Sequence, residues 1–307
     1  MKIYKPSFWN KKGFISCLLY PLTWITLIVN LIKNLSYKNK FEIKTICIGN
    51  IYVGGTGKTP LAIEVNNILK KNYKTIFIKK RYFNQHDEQK LLKSHGKLVC
   101  LDNRIAAINY AQDKKFEVCI IDDGLQEKKI KHDITIACFN SSSGFGNGFL
   151  LPAGPLREHI SNIKNYDAIF LNGWKKNHKL KSYFTKIKKK INIFEGHYVP
   201  TNLKKINRNK NFLIFSGLGN PDEFEKTLAK YKFKVKKKYI YPDHYEFSDS
   251  EINKLKREAK KEKLDIITTE KDYLRLTMNS KKNITYLKIK LKIKNEKIFL
   301  KFLTNKL

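Results

Sequence analysis

The chain is poor in arginine. Six residues of 307 are arginine (Arg81, Arg104, Arg157, Arg208, Arg257 and Arg275), although lysine and arginine together number 62 and the formal net charge is +35. Planar guanidinium forks are what nucleic-acid recognition ordinarily recruits, and no DNA- or RNA-binding module accompanies the charge. A lysine and asparagine surplus spread along the whole chain reads as compositional drift, so no nucleic-acid partner is expected. Paired cysteines are missing too. The five cysteines (Cys17, Cys47, Cys100, Cys119 and Cys138) are odd in number, scattered and without a C-x-x-C pair, which argues against disulfides and a cysteine-based metal site. Cys47, Cys119 and Cys138 sit inside apolar runs, where a thiol acts as a small hydrophobe in a reducing compartment. No internal repeat is visible, and an apolar fraction of 42% can build the core of one large domain or two modest ones.

Charge is absent from Gly13 to Ile32, "GFISCLLYPLTWITLIVNLI", which Lys11 and Lys12 precede and Lys33, Lys38 and Lys40 follow. Its length is at the lower limit for crossing a bilayer, and Pro21, Thr23, Thr26 and Asn30 dilute it. The small-residue cleavage site of a secretory signal is missing. A helix lying in or dipping into the headgroup region, with lysines on anionic phosphates and Trp9 and Trp24 at the interface, fits better. The expectation is membrane attachment on the cytoplasmic side, at a depth left open; the alternative is a helix docked on the protein's own core.

Beyond this segment, β-branched runs alternate with amphipathic stretches. "TICIGN", "KTIFIKK", "KLVCLD", "FEVCIIDD", "ITIACFN" and "DAIFLNG" read as buried strands, with helix patterns such as "TPLAIEVNNILKK" and "NRIAAINYAQDKK" between them. That order predicts an α/β fold, a largely parallel sheet with helices on both faces. A lysine-rich stretch, "TNLKKINRNKN", then separates a second series of strands and helices. The expected division is a membrane-associated segment over 1–40, a core domain over 41–205 and a smaller C-terminal α/β domain over 206–307.

In "ICIGNIYVGGTGKTPLAIEVNNILKK" a strand runs into a glycine-rich turn and then a helix, the context a phosphate-binding loop requires. The strict G-x-x-x-x-G-K-[ST] pattern would place glycine at position 52, where this chain has Tyr52. Within the turn Gly54, Gly55, Thr56 and Gly57 offer backbone N–H groups to phosphate oxygens. Lys58 adds a point charge, Thr59 supplies a hydroxyl for Mg²⁺, and the helix N-terminus favours the anion. Pro60 fits the first helical turn. At the end of the apolar run "VCIIDDGLQ", Asp122 and Asp123 are placed to hold Mg²⁺ directly or through water. Two adjacent acids after a buried strand are costly unless a cation offsets them. "GFGNGFLLPAGPLRE" ends in Arg157 and Glu158 after a rigid turn, which suits a ligand-facing role.

These motifs together resemble the tetraacyldisaccharide 4'-kinases of lipid A biosynthesis. "GNIYVGGTGKTP", "DEQKLL", "DDGLQ", "GFGNGFLLPAGPLRE", "FSGLGNPDEFEKTL", "YPDHYEFSDSEI" and "TTEKD" follow one another in the family's order, and the family's loop likewise lacks the first glycine. The resemblance implies a P-loop kinase at the cytoplasmic face of the bacterial inner membrane. Such an enzyme moves the γ-phosphate of ATP to the 4'-hydroxyl of a lipid disaccharide 1-phosphate, giving lipid IVA.

It also implies roles for residues. Lys58 and Thr59 hold phosphate and Mg²⁺; Asp87 accepts the hydroxyl proton, paired with His244; Glu88 is a metal or structural partner. Asp122 and Asp123 match the acidic pair, Gln126 the adjoining amide, and Arg104 and Arg157 the arginines near phosphate and substrate, beside Glu158. With Asp87 in the core domain and His244 in the C-terminal one, closure of the two would be needed to join them. Three departures stand out: a shortened turn, "KKRYFNQHDEQ", without glycine; Glu127 after "DDGLQ" in place of histidine; and Tyr245 in place of the second histidine of "DHH". "TTEKD" is expected to brace the C-terminal domain. Rival readings are a P-loop ATPase or GTPase switch, although no guanine-specific N-K-x-D occurs, and a basic membrane or nucleic-acid binding protein with a vestigial loop. Oligomeric state is not legible.

Overall fold

Residues that alternate along the strands are sorted onto two faces, and this decides the architecture. A computed structural model describes residues 6–82 and 86–307; residues 1–5 and 83–85, the latter within the shortened turn before Asp87, lie outside the described residues. In chain order the elements are α1 (Phe14–Leu18), α2 (Thr23–Asn34), β1 (Lys44–Gly49), α3 (Lys58–Leu69), β2 (Thr75–Lys80), α4 (His86–Lys93), β3 (Leu98–Leu101), α5 (Arg104–Asp113), β4 (Val118–Asp122) and β5 (Ile134–Asn140). There follow β6 (Ala168–Asn172), α6 (His178–Ile187), β7 (Asn192–Pro200), β8 (Asn211–Ser216), α7 (Pro221–Lys230), β9 (Lys234–Ile240), α8 (Asp249–Lys261), β10 (Asp265–Thr269), α9 (Glu270–Arg275), α10 (Met278–Lys281), β11 (Ile284–Leu287), β12 (Ile289–Ile293) and α11 (Glu296–Thr304).

An eight-stranded sheet runs in the order β12-β7-β6-β5-β1-β4-β2-β3, and every pairing from β7 through β3 is parallel. Cys47, Ile78, Cys119, Ile121, Ala137, Phe139, Ile169 and Leu171 share one cluster with Ala107 and Ile108 of α5 and Leu180 and Phe184 of α6. Their strand neighbours face the other way, as the two-residue period requires: Phe170 packs on Phe299 of α11, centroids 6.2 Å apart. The smaller sheet, β11-β10-β8-β9, is parallel throughout. Its strand β8 divides in the same way, Leu213 and Phe215 packing with Ile252 and Leu255 of α8, Phe212 and Ile214 with Phe224 and Leu228 of α7. The expected α/β class with a smaller C-terminal α/β part is what the chain builds.

The described chain forms two compact units, one of residues 6–81, 95–197 and 292–307, the other of 82, 86–94 and 198–291. This differs from a single cut near residue 205. α4 leaves the first unit because its Leu92 is fully buried and its acids face α9 cations. α11 joins the large sheet because Phe299 also meets Phe194, at 4.8 Å.

The N-terminal segment is not one long helix. α1 and α2 are short and separated by a 3₁₀ turn, and among the described residues no helix is long and apolar enough to cross a membrane. Its polar residues are anchors: Thr26 donates to the Leu151 carbonyl at 2.7 Å and Asn30 to that of Arg157 at 2.8 Å, while Ser16 and Trp9 bond the Phe8 and Pro152 carbonyls. Phe14, Leu18, Trp24, Ile25, Ile28, Leu31 and Ile32 are left exposed. The polar side is therefore the docked one and much of the apolar side faces outward, the reverse of an ordinary surface helix.

Phe139 is fully buried against Phe184, with ring centroids 4.8 Å apart. Phe139→Ala should cost about 3–5 kcal/mol, measured as a lowered midpoint in urea unfolding of the purified protein.

Candidate active site

The glycine loop follows β1, which lies between β5 and β4 in the sheet. Parallel register sets Ile48 beside Asp122, so the two acids at the C-terminal end of β4 lie level with the end of β1, just before the loop. Gly54 and Gly57 have φ of 126° and 87°, values that disfavour a side chain. Tyr52 has no such requirement: its ring is buried, its backbone bridges Leu156, and Val53 N–H donates to the Pro155 carbonyl at 2.8 Å. Position 52 thus belongs to a ladder with "LLPAGPLRE" rather than to the anion cradle, which is why glycine is dispensable there. Asn50 ties the turn together through the Gly54 carbonyl and Thr56 Oγ1, and Gln126 Nε2 donates to the Asn50 carbonyl at 2.8 Å.

The loop faces both acids. Thr59 Oγ1 donates to Asp122 Oδ2 at 3.0 Å, and Lys58 Nζ lies 3.8 Å from Asp123 Oδ1. Asp122 is wholly buried, and its Oδ2 also accepts from Lys79 Nζ at 2.8 Å, a lysine of β2 in direct register with it. A lysine that ends an apolar strand opposite the acidic one was the available signal for this pair, and reading the run as a plain buried strand missed it. Asp123, at φ 59°, turns away toward Arg157, whose Nη1 donates to its Oδ1 at 3.2 Å and to Gln126 Oε1 at 3.2 Å.

Two expected ligand-facing residues point inward instead. Glu158 is 1% exposed, and its carboxylate accepts from Tyr166, Asn162, Lys128 and Gln126. Burial first, then this carboxylate, push the Tyr166 phenol up. Glu158 is a buried hub that fixes the turn after Arg157, because a carboxylate taken out of water needs this many donors. Arg104 is 7% exposed and donates through Nη2 to the Asp123 carbonyl at 2.7 Å, which holds the left-handed turn in place.

In the second unit Asp87 and His244 come together without any closure, because α4 is part of that unit. His244 Nδ1 is 3.3 Å from Asp87 Oδ1, and Asp87 Oδ2 accepts from Arg275 Nη2 at 2.7 Å, with Lys271 Nζ 3.5 Å away. Burial pushes the Asp87 carboxyl up, but the His244 hydrogen bond, then Lys271 and Arg275, hold it well below the usual carboxylate range. Glu88, expected as a metal or structural partner, meets a cation of the chain's own, Lys271 Nζ at 2.9 Å. Tyr245, the departure noted at the second histidine of "DHH", donates to Glu251 Oε1 at 2.6 Å, and Glu251 in turn caps α8 with Ser248. Lys271 and Arg275 lie in and just after "TTEKD", a motif expected only to brace its domain.

Burial lifts the Cys47 and Cys119 thiols to about 12, which disfavours the nucleophilic thiolate.

The chain is similar to known proteins over nearly its whole length. The family model described as tetraacyldisaccharide-1-P 4'-kinase (LpxK) matches residues 15–307. A tetraacyldisaccharide 4'-kinase of Pelagibacter ubique (strain HTCC1062) is 47% identical over 314 aligned positions, covering 100% of this chain and 98% of the relative. One from Rickettsia bellii (strain OSU 85-389) is 33% identical over 328 positions, covering 98% and 99%. Among solved structures, "apo" form LpxK from Aquifex aeolicus in complex with ATP superposes with a TM-score of 0.71 at 23% identity, covering 95% of this chain and 99% of that one; it shows the same fold.

His132, between β4 and β5, has both ring nitrogens buried without a hydrogen bond. Burial first, then the Arg104 guanidinium, push its imidazole down from 6.5 to about 4. The native state therefore disfavours the proton, so stability is full above pH 6.5 and is lost as pH falls toward 4. His132→Phe should remove that loss: in urea unfolding at stepped pH, the stability of the variant relative to the parent rises between pH 6.5 and 4 and is constant above pH 7.

Proposed function

The chain belongs to the tetraacyldisaccharide-1-P 4'-kinase family, and from that premise we infer that it transfers the γ-phosphate of ATP to the 4'-hydroxyl of tetraacyldisaccharide 1-phosphate in lipid A biosynthesis. The observation that carries this reading is the loop-to-helix junction at which Lys58 and Thr59 face Asp123 and Asp122. Backbone N–H groups of Gly54 to Gly57 cradle the phosphates, and Lys58 and Arg157 neutralise the charge that develops as the γ-phosphoryl group leaves ADP. The acceptor hydroxyl loses its proton toward the Asp87–His244 pair as its oxygen bonds phosphorus; ADP and the 4'-phosphate ester result.

Thr59 and Asp122 are the residues that would hold Mg²⁺. Hard oxygen donors suit it, and Asp122 Oδ1 is buried with no hydrogen-bond partner, an expensive state for a carboxylate oxygen without a cation. When bound, the ion supplies further charge neutralisation on the phosphate oxygens. Asp123, engaged by Lys58 and Arg157, acts by orienting those two cations.

The outward apolar side of α1 and α2, with Lys11, Lys12 and Lys33 beside it, is read as the surface that enters the headgroup layer on the cytoplasmic side of the inner membrane. A lipid acceptor lies in that layer, so attachment brings enzyme and substrate into two dimensions.

Incubation with labelled ATP, Mg²⁺ and the lipid 1-phosphate tests the reaction. Lys58→Ala should lower product formation roughly 100-fold or more, and Asp87→Ala about 100-fold; near-normal turnover in either variant contradicts the role given to that residue. Ile25→Glu/Ile28→Glu should abolish co-sedimentation with phosphatidylglycerol vesicles and raise KM for the lipid while leaving KM for ATP unchanged. Undiminished vesicle binding would remove the membrane reading of this face.

A further inference from the structure

The segment Thr269–Arg275 makes more contacts with the dyad than a brace requires. Thr269 Oγ1 and Asp272 bond each other reciprocally, the side chain accepting from Asp272 N–H at 3.1 Å and donating to Asp272 Oδ2 at 2.6 Å. Asp272, fully buried, also accepts from Gly217 N–H at 3.1 Å and from Arg275 Nη1 at 2.9 Å. Arg275 Nη1 bonds the Gly217 carbonyl at 2.9 Å, which leaves its Nη2 to reach Asp87 Oδ2 at 2.7 Å. The guanidinium fork is fixed on one side by buried groups and presents its other side to one carboxylate oxygen.

Lys271 lies four residues before Arg275, so both cations project from one face of the turn. Its Nζ is 2.9 Å from Glu88 Oε1, 3.5 Å from Asp243 Oδ1, 3.5 Å from Asp87 Oδ2 and 3.4 Å from His244 Nε2. Glu88 Oε1 and Asp243 Oδ1 also face this nitrogen, but at 3.6 and 3.8 Å they are too far to accept a hydrogen bond from it. The nearer ammonium has only protons to offer, so the ring nitrogen presents its lone pair to it. The other nitrogen, Nδ1, then carries the hydrogen that points at Asp87 Oδ1, 3.3 Å away. His244 itself sits at φ 57°, a conformation that costs free energy in a non-glycine residue and persists where its surroundings over-determine it.

We propose that Arg275 and Lys271 are positioning residues for the phosphoryl transfer: Arg275 holds Asp87 by one oxygen so that the other meets His244, and Lys271 selects the His244 tautomer with hydrogen on Nδ1. The inference deepens the Asp87–His244 reading and rests on it. Buried charges are a costly way to brace two helices, since apolar side chains of similar volume do so without desolvation. What charge adds here is orientation of a carboxylate and a ring whose proton positions matter.

The test uses the full chain in the labelled-ATP assay, with ¹⁵N-histidine spectra of the same samples. Arg275→Met and Lys271→Met should each lower kcat about 10- to 100-fold with KM for ATP unchanged, and Arg275→Lys should recover only part, because an ammonium cannot span Asp87 and Asp272 together. Asp87→Asn/Arg275→Met should be no slower than Asp87→Asn alone, since a residue that acts through another adds nothing once that one is gone. In Lys271→Met the His244 signal should move from the Nδ1–H toward the Nε2–H tautomer. Additive losses in the double variant, or an unmoved tautomer, overturn the proposal while leaving the dyad in place; full activity of Asp87→Asn removes the dyad reading itself. Should Arg275→Met fail to fold by circular dichroism, Lys271→Met, whose contacts are all between side chains, decides the matter through its kcat and its tautomer signal.

Discussion

A carboxylate with no access to solvent, Asp122, is the constraint around which the nucleotide side of this protein is arranged. Taking such a charge out of water costs several kcal/mol unless partners surround it. The chain supplies Lys79 from the neighbouring strand and Thr59 from the first turn of α3, and it leaves Oδ1 without a protein donor. Because the two partners come from separate elements, the order β1-β4-β2 and its register are prerequisites of the site rather than a scaffold beneath it.

The second site obeys the same rule with different means. Asp87, also nearly buried at 2% exposure, is compensated by Arg275, Lys271 and His244, all from its own unit. Each acid is thereby held in one orientation before any substrate arrives, and preorganised groups of this kind lower a barrier without reorganisation at the moment of reaction. The loop between β5 and β6 extends the pattern: Glu158, enclosed by four donors, fixes the backbone from which Arg157 reaches Asp123 and Gln126.

Legibility followed locality. The phosphate loop could be read because every group it needs lies within a few consecutive residues, and Gly54, Gly57, Lys58 and Thr59 take their places from local backbone geometry and one helix start. Strand periods and the parallel sheet were legible for the same reason, since burial on both faces leaves continuous apolar runs. Asp87 and His244 were found through resemblance to a family, being 157 residues apart, with no local pattern to join them. Lys79, Lys271 and Arg275 stayed hidden among 62 basic residues, since a lysine partnered with a buried acid looks in sequence like any other.

The sequence by itself therefore determined the class of fold, the phosphate-binding turn, the acidic pair at the end of β4 and the apolar segment near the N-terminus, each a matter of spacing along a few turns or strands. Tertiary structure alone decided that α4 leaves the large sheet to meet α9, that Glu158 and Arg104 point inward, and that the N-terminal helices dock by their polar side. Those outcomes depend on which buried charge finds which partner across distant segments, and desolvation, a property of the packed molecule, sets that choice.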